Sequence, residues 1–164
     1  MLTRTRAVLA AATAMLLAGA VQAAPPTSVY LKKAGASDLY EKTSSQIVLN
    51  STRNPEVRRF ASMMVTDHTK STAMVTSAAR RSGVRPGAPM LDPMQRRMVA
   101  ELRRADGRDR DRLYIDQQRQ AHRQALQLQQ DYAATGSAPA LRRAAANIVP
   151  VVQHHIDMLG RIGR

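Results

Sequence analysis

The chain has 164 residues, enough for one domain and its core. It contains no cysteine, which excludes disulfides, thiolate metal sites and a lipid-modified cysteine anchor. Its formal charge is +13 with only one Phe, four Tyr and no Trp, so the basic surface lacks the interleaved aromatic platforms of a single-strand nucleic-acid binder.

Residues 1–23 read as a secretory signal peptide. Arg4 and Arg6 give a positive start, and Ala7–Ala20 is uncharged but too short to span a bilayer. Val21-Gln22-Ala23 carries the small-residue pattern of a cleavage site, ahead of Ala24-Pro25-Pro26. An uncleaved membrane anchor is the alternative. Cleavage after Ala23 leaves residues 24–164 as one helical domain of formal charge +11, destined for the periplasm or for secretion. Export removes nucleic acid as an everyday partner. An anionic membrane surface or an envelope protein is the partner class that a basic exported surface suits.

The mature region divides into four long helices and one short one. The first long helix is expected over about Ser28–Asn50. Asn54-Pro55-Glu56 then supplies a cap, a first-turn proline and a charge matching the helix dipole, so the second runs from there to about Ser82 and stops at Gly83. Gly83–Leu91 is a Gly- and Pro-rich loop. Asp92-Pro93 repeats the start signal for a short helix to about Ala105, interrupted by Gly107. The third long helix follows over about Asp109–Ala134. The fourth opens at Ser137–Pro139 and continues to about Gly160, with a kink expected near Ala146 because Pro150 withholds a backbone donor. The alternating Arg and Asp of residues 103–112 read as solvated surface.

Apolar periodicity supports these assignments. In the second long helix the stripe passes through Val57, Phe60, Ala61, Met64, Val65, Thr72, Val75 and Ala79. In the fourth it passes through Leu141, Ala144, Ile148, Val151, Val152, Leu159 and Ile162. The third shows a weaker stripe at Tyr114, Ile115, Ala125, Leu126 and Tyr132. The first is weakest, with Leu31, Ala34, Tyr40, Ile47 and Val48 on a broad apolar side. Four long helices with a longer connection between the second and third predict an all-α four-helix bundle with a crossover and a short extra helix inside it.

Polar residues on these stripes need a reason, because burying one without a partner is costly. His68, His122 and His155 fall on them, whereas His154 is rotated about 100° away from His155. His68 lies fourteen residues after Asn54 and Glu41 thirteen before it, so an antiparallel pair sets them at about one height. His122 lies thirteen residues past the start of its helix and His155 sixteen past Pro139, within about one turn of that height. The expectation is a central layer of Glu41, His68, His122 and His155, with Asp67 beside His68 to join it or orient a ring. One carboxylate and three imidazoles can hold a single divalent first-row metal such as zinc, manganese, iron or copper. The bland alternative is a buried hydrogen-bonded layer that fixes helix register. A di-iron centre requires about four carboxylates and two Glu-x-x-His pairs, and no Glu-x-x-His occurs here.

Met63, Met64, Met94 and Met98 read as core filling rather than soft copper ligands. Ser44 and Ser45 lack the elbow and oxyanion loop of a nucleophile. No Gly-rich phosphate loop is present.

The segments Asn54–Ala61, Met64-Val65-Thr66-Asp67-His68, Tyr114-Ile115 through His122, and Val149-Pro150 through His155 resemble the exported bacterial ferritin-like family called domain of unknown function 4142. The resemblance spans about Ser28 to Leu159. It implies a ferritin-like bundle, periplasmic or in the outer envelope, with no established activity. Its recurring polar positions fall on Glu41, Asp67, His68, His122 and His155. The family often carries a second acid two residues after the first, where this chain has Thr43. The first reading is a non-enzymatic exported bundle protein with a divalent-metal site. The alternatives are a metal-dependent oxidoreductase or metal-storage protein of ferritin type, and an envelope-associated interaction module.

Overall fold

The computed structural model describes residues 24–162; the expected signal peptide, residues 1–23, lies outside them. All regular structure in the described residues is helical: α1 Thr27–Leu49, α2 Pro55–Arg81, α3 Pro93–Arg104, α4 Gly107–Thr135 and α5 Pro139–Leu159. None of these helices is long and apolar enough to cross a membrane.

Local chemistry sets most of the boundaries. The Asn54 side chain accepts hydrogen bonds from the Glu56 and Val57 amides at 2.9 and 3.3 Å, with Pro55 in the first turn. That satisfies two of the four amides that the start of a helix leaves without partners. Asn54→Ala should therefore lower stability by about 1 kcal/mol. An unchanged denaturant midpoint in that variant would show that this cap does not hold the helix start.

At the other end of α2, Gly83 adopts φ +71°, a left-handed conformation that a side chain disfavours. There the Gly83 amide donates to the Arg80 carbonyl and the Val84 amide to the Ala79 carbonyl, a Schellman stop. Asp92 and Gln95 form a reciprocal capping box at the start of α3.

One local expectation is revised. Gly107 does not interrupt a helix but begins α4, with φ +45°; the break falls at Ala105 and Asp106. α5 opens within the expected Ser137–Pro139, flanked by Ala138, and the Ser137 hydroxyl pairs with Thr27 Oγ1 at 3.0 Å. Pro150 lies inside α5, which continues from Pro139 to Leu159.

α1 packs on α2 and α4, and α5 packs on the same two helices, so the long helices close a ring in the order α1, α2, α5, α4. α1–α2 and α4–α5 are hairpins. α3 lies across α1 and α4 and carries the chain back along the bundle. Thr52 at the α1–α2 turn bonds Asp111 near the start of α4, which fixes the end at which α4 begins. α2 and α4 consequently run in the same direction, the connectivity of a four-helix bundle with one long crossover.

Two apolar clusters fill the bundle. One joins Tyr30, Leu31, Val75, Ala79, Tyr132, Leu141 and Ile148. In it Tyr30 and Tyr132 stack with ring centroids 3.8 Å apart. The other joins Val48, Phe60, Met64, Leu102, Tyr114 and Leu159. Between them runs a polar layer from all four long helices. α1 contributes most of it: Asp38, Glu41, Ser44 and Ser45 are all buried there, so the inward face of α1 is largely polar.

Candidate metal centre

The layer draws one histidine from each of three helices. His68 on α2, His122 on α4 and His155 on α5 are buried, with 5%, 0% and 1% exposure, whereas His154 is exposed. Their rings are mutual neighbours. The centroids of His122 and His155 are 5.3 Å apart, and His68 stands 5.8 and 5.7 Å from them. One nitrogen from each ring belongs to a set lying within 4.8 Å of one another. Phe60 closes the layer from below, about 6 Å from both His122 and His155.

Each ring has one nitrogen tied to an oxygen outside this set. His68 Nδ1 lies 2.8 Å from Asp38 Oδ1. His122 Nδ1 lies 3.0 Å from the Gln118 carbonyl oxygen, one turn earlier on α4. His155 Nε2 lies 3.3 Å from Asp67 Oδ2. A carbonyl oxygen only accepts, so His122 donates through Nδ1, and its neutral ring keeps a lone pair on Nε2. An ionised carboxylate likewise makes His155 donate through Nε2, leaving the lone pair on Nδ1. These two lone-pair nitrogens, His122 Nε2 and His155 Nδ1, face each other at 3.3 Å. His68 Nε2 is buried and has no hydrogen-bond partner.

Electrostatics keep two of the rings neutral. Burial and then the neighbouring His68 charge push His155 down to about 4, and the same two effects hold His122 well below the ordinary histidine range. For His68 burial also opposes charge, but the hydrogen bond to Asp38 and the nearby Glu41 charge outweigh it, so its pKa is raised. Burial raises Asp67 too, yet its hydrogen bonds with His155 and Lys70 leave it net lowered and ionised. A proton in the cluster accordingly resides on His68.

Glu41 and Asp67 sit around the three nitrogens rather than among them. Asp67 orients His155 and pairs with Lys70 at 3.2 Å. Glu41 is fully buried, with Oε1 3.7 Å from His122 Nδ1, and neither of its oxygens has a hydrogen-bond partner. Burial pushes its carboxyl up to about 7.

Sequence reasoning did not single out Asp38 or Gln118. Asp38 precedes Glu41 by three residues and Gln118 precedes His122 by four, so both spacings place them on the inward faces. Ser44 and Ser45 serve the layer's hydrogen bonding. Ser44 donates to the Glu41 carbonyl and accepts from Gln118 Nε2, while Ser45 pairs with the Tyr114 hydroxyl at 2.8 Å. Neither contacts a histidine as a nucleophile would. Met64 packs in the lower apolar cluster and Met98 beside Tyr40 under α3, as core filling.

Residues 12–162 match the sequence profile of the domain of unknown function DUF4142. The chain belongs to this family. No curated protein matches the DUF4142 chain. Among the solved structures that share its fold are two DUF305 proteins. A DUF305 protein of Streptomyces coelicolor superposes with a TM-score of 0.68 at 14% identity, over 82% of this chain and 90% of its own. A DUF305 fragment from Deinococcus radiodurans does so with a TM-score of 0.69 at 20% identity, over 86% of this chain and 100% of its own. At these identities the likeness concerns the fold, which is the all-α arrangement described above.

Proposed function

We propose that this DUF4142 protein is an exported bundle that holds one divalent first-row metal ion between His68, His122 and His155. The facing lone pairs of His122 Nε2 and His155 Nδ1, 3.3 Å apart, carry the reading. Two lone pairs at that distance repel unless a cation lies between them, and both rings are poor bases here. Metal-bound imidazoles characteristically donate their other N–H to a carboxylate or a backbone carbonyl, and each of the three does so. Metal–nitrogen bonds of about 2.1 Å in tetrahedral geometry set nitrogens about 3.4 Å apart. The His122–His155 pair has that spacing, and His68 needs to close by at most about 1.5 Å.

In this reading Asp38, Asp67 and the Gln118 carbonyl fix ring orientation, and Glu41 offers a negative charge that binding can draw upon. All-nitrogen ligation suits zinc, copper, iron or nickel better than magnesium or calcium. A di-iron ferritin chemistry is disfavoured, because three histidines dominate the cluster and Glu41 is its only fully buried carboxylate.

Elemental analysis of untagged protein purified from its native compartment tests the proposal. One equivalent of a first-row metal per chain is expected, falling to background in His122→Ala. A metal-free wild-type protein that takes up none on dialysis would overturn it. Because His68 carries the competing proton, metal affinity should fall as pH drops through its raised pKa.

Export rests on Arg4, Arg6 and the uncharged run Ala7–Ala20. The Streptomyces coelicolor neighbour is itself described as a candidate secreted protein. Mass spectrometry of protein recovered from the cell envelope should find Ala24 at the N-terminus. A mature species that begins at Met1 would contradict cleavage.

A further inference from the structure

α3 covers only part of the seam between α1 and α4, where Met98 and Val99 pack against Tyr40. Beside the first turns of α3 the seam opens into a groove of about 1090 Å³. The loop that leads into α3 forms one wall, with Pro89 against α1 at Gly35 and Met90 and Leu91 lining the groove. The floor is apolar. Ala36, Tyr40 and Met98 are buried along it, and Leu91, Met94 and Leu128 are half-buried. Four large apolar side chains are exposed among the described residues, and two of them, Val29 at 37% and Met90 at 71%, line this groove.

The rim is cationic. Lys32 and Lys33 on α1, Arg96 on α3 and Arg123 on α4 are exposed around it. None of the four forms an ion pair among the described residues. Two carboxylates also line the groove, and both are engaged: Asp92 caps α3, and Asp131 accepts from Gln127. This combination selects one chemistry. A compact inorganic anion suits the rim but not the floor, since an apolar surface penalises a strongly hydrated group. An uncharged apolar molecule leaves the four cations without counter-charge. A second copy of the chain brings a second cationic rim against the first. A flat bilayer reaches Val29 and Met90 but not the half-buried Leu91, Met94 and Leu128 inside the concavity. A single acyl chain with one anionic head group satisfies floor and rim together, and methionines adapt to the shape of a flexible chain. The volume is of the order that small-molecule sites enclose, about 300–1,000 Å³.

We propose that the groove between α1, α3 and α4 binds a free long-chain carboxylate, its acyl chain on the apolar floor and its head group among Lys32, Lys33, Arg96 and Arg123. This site is independent of the metal centre, since none of the three histidines lines it.

Calorimetric titration of the mature protein with dodecanoate, kept below its micelle concentration, tests the proposal. One dodecanoate per chain is expected. Octanoate should bind about tenfold or more weaker, because it buries four fewer methylenes. Dodecyltrimethylammonium carries the same chain on a cationic head and should likewise lose about tenfold or more. Val29→Glu and Met90→Glu each put a carboxylate in the groove at an exposed position, and each should weaken dodecanoate by about tenfold or more. Met74→Glu, on α2 and outside the groove, should bind as the wild type does. Absence of dodecanoate binding would overturn the proposal. Equal affinity for the cationic amphiphile would remove the role of the rim, and undiminished affinity in both groove variants would refute the location. Phosphatidylglycerol vesicles and sedimentation of the ligand-free protein test the other occupants. A protein that ignores dodecanoate but sediments with vesicles, or that dimerises through a contact broken by Met90→Glu, would assign the groove to a membrane or to a second copy instead.

Discussion

Metal-stripped protein should melt at a markedly higher temperature once a divalent first-row metal is added. Binding to the folded state alone stabilises it in proportion to the logarithm of metal concentration, by about 4 kcal/mol at a thousand times the dissociation constant. For a domain of this size that corresponds to a rise of roughly 8–16 °C. Zinc, manganese, iron(II) and copper(II) should be titrated in turn, because the nitrogen set narrows the metal without naming it. The rise should vanish in His122→Ala and in His155→Ala, and persist in His154→Ala, whose side chain is exposed and outside the cluster. If no metal raises the melting temperature, or the rise survives both inward substitutions, the layer is architecture. In that case His122→Ala should still destabilise the protein, because it strips a buried partner from the hydrogen-bonded layer.

Glu41 governs the second large effect, the pH dependence of the metal-free protein. Its carboxyl titrates at about 7 in the folded state against 4.5 for the ordinary group, with burial as the main cause. Between those pH values the folded state holds a proton that the unfolded chain has released. Stability is therefore fully present below pH 4.5, declines as pH rises through the folded pKa of about 7, and levels off above it. The Glu41 contribution to that decline is about 3 kcal/mol. Glu41→Gln keeps the shape and removes the titration. Its amide can also serve Gln118 Oε1, which has no partner in the folded protein. Chemical denaturation at pH 5 and pH 8, with metal chelated, should show the loss in the wild-type protein and a much flatter profile in the variant. His122 and His155 titrate in both proteins, so the difference between the two slopes reports Glu41 together with its charge coupling to His68. Equal slopes would mean that the Glu41 carboxyl is not perturbed by its surroundings.

The two effects are linked through one layer. A cation among the three histidines favours the ionised form of Glu41, so a group that destabilises the metal-free protein above pH 7 becomes a favourable neighbour once metal is bound.

Local sequence places the helices and most of their ends. Asn54-Pro55, Asp92-Pro93 and Gly83 act through the few residues around them, and a cap needs no distant contact to form. It also determined that His68, His122 and His155 point inward, because the position of a side chain around a helix follows from its spacing to apolar neighbours. Periodicity was less reliable at the margins of a stripe. Val151 is 40% exposed, and Val65 and Thr72 are half-buried, since the width of a buried face depends on how neighbouring helices close over it.

Which groups meet depends on how the helices pack. Counting residues from Asn54 placed Glu41 level with His68, but Asp38, about one turn away on α1, bonds His68, and Glu41 lies against His122 instead. Residue counts fix height only to about a turn, because helices tilt and slide against one another, and one turn is enough to exchange one carboxylate for another. α1 gave the faintest apolar signal because its inward face carries Asp38, Glu41, Ser44 and Ser45; partners on other helices compensate the burial of Asp38, Ser44 and Ser45, while the Glu41 carboxyl has no hydrogen-bond partner. The choice of nitrogen on each ring was likewise invisible in the sequence. It depends on whether a carbonyl or a carboxylate stands within hydrogen-bonding distance of one edge of the imidazole, which packing alone arranges.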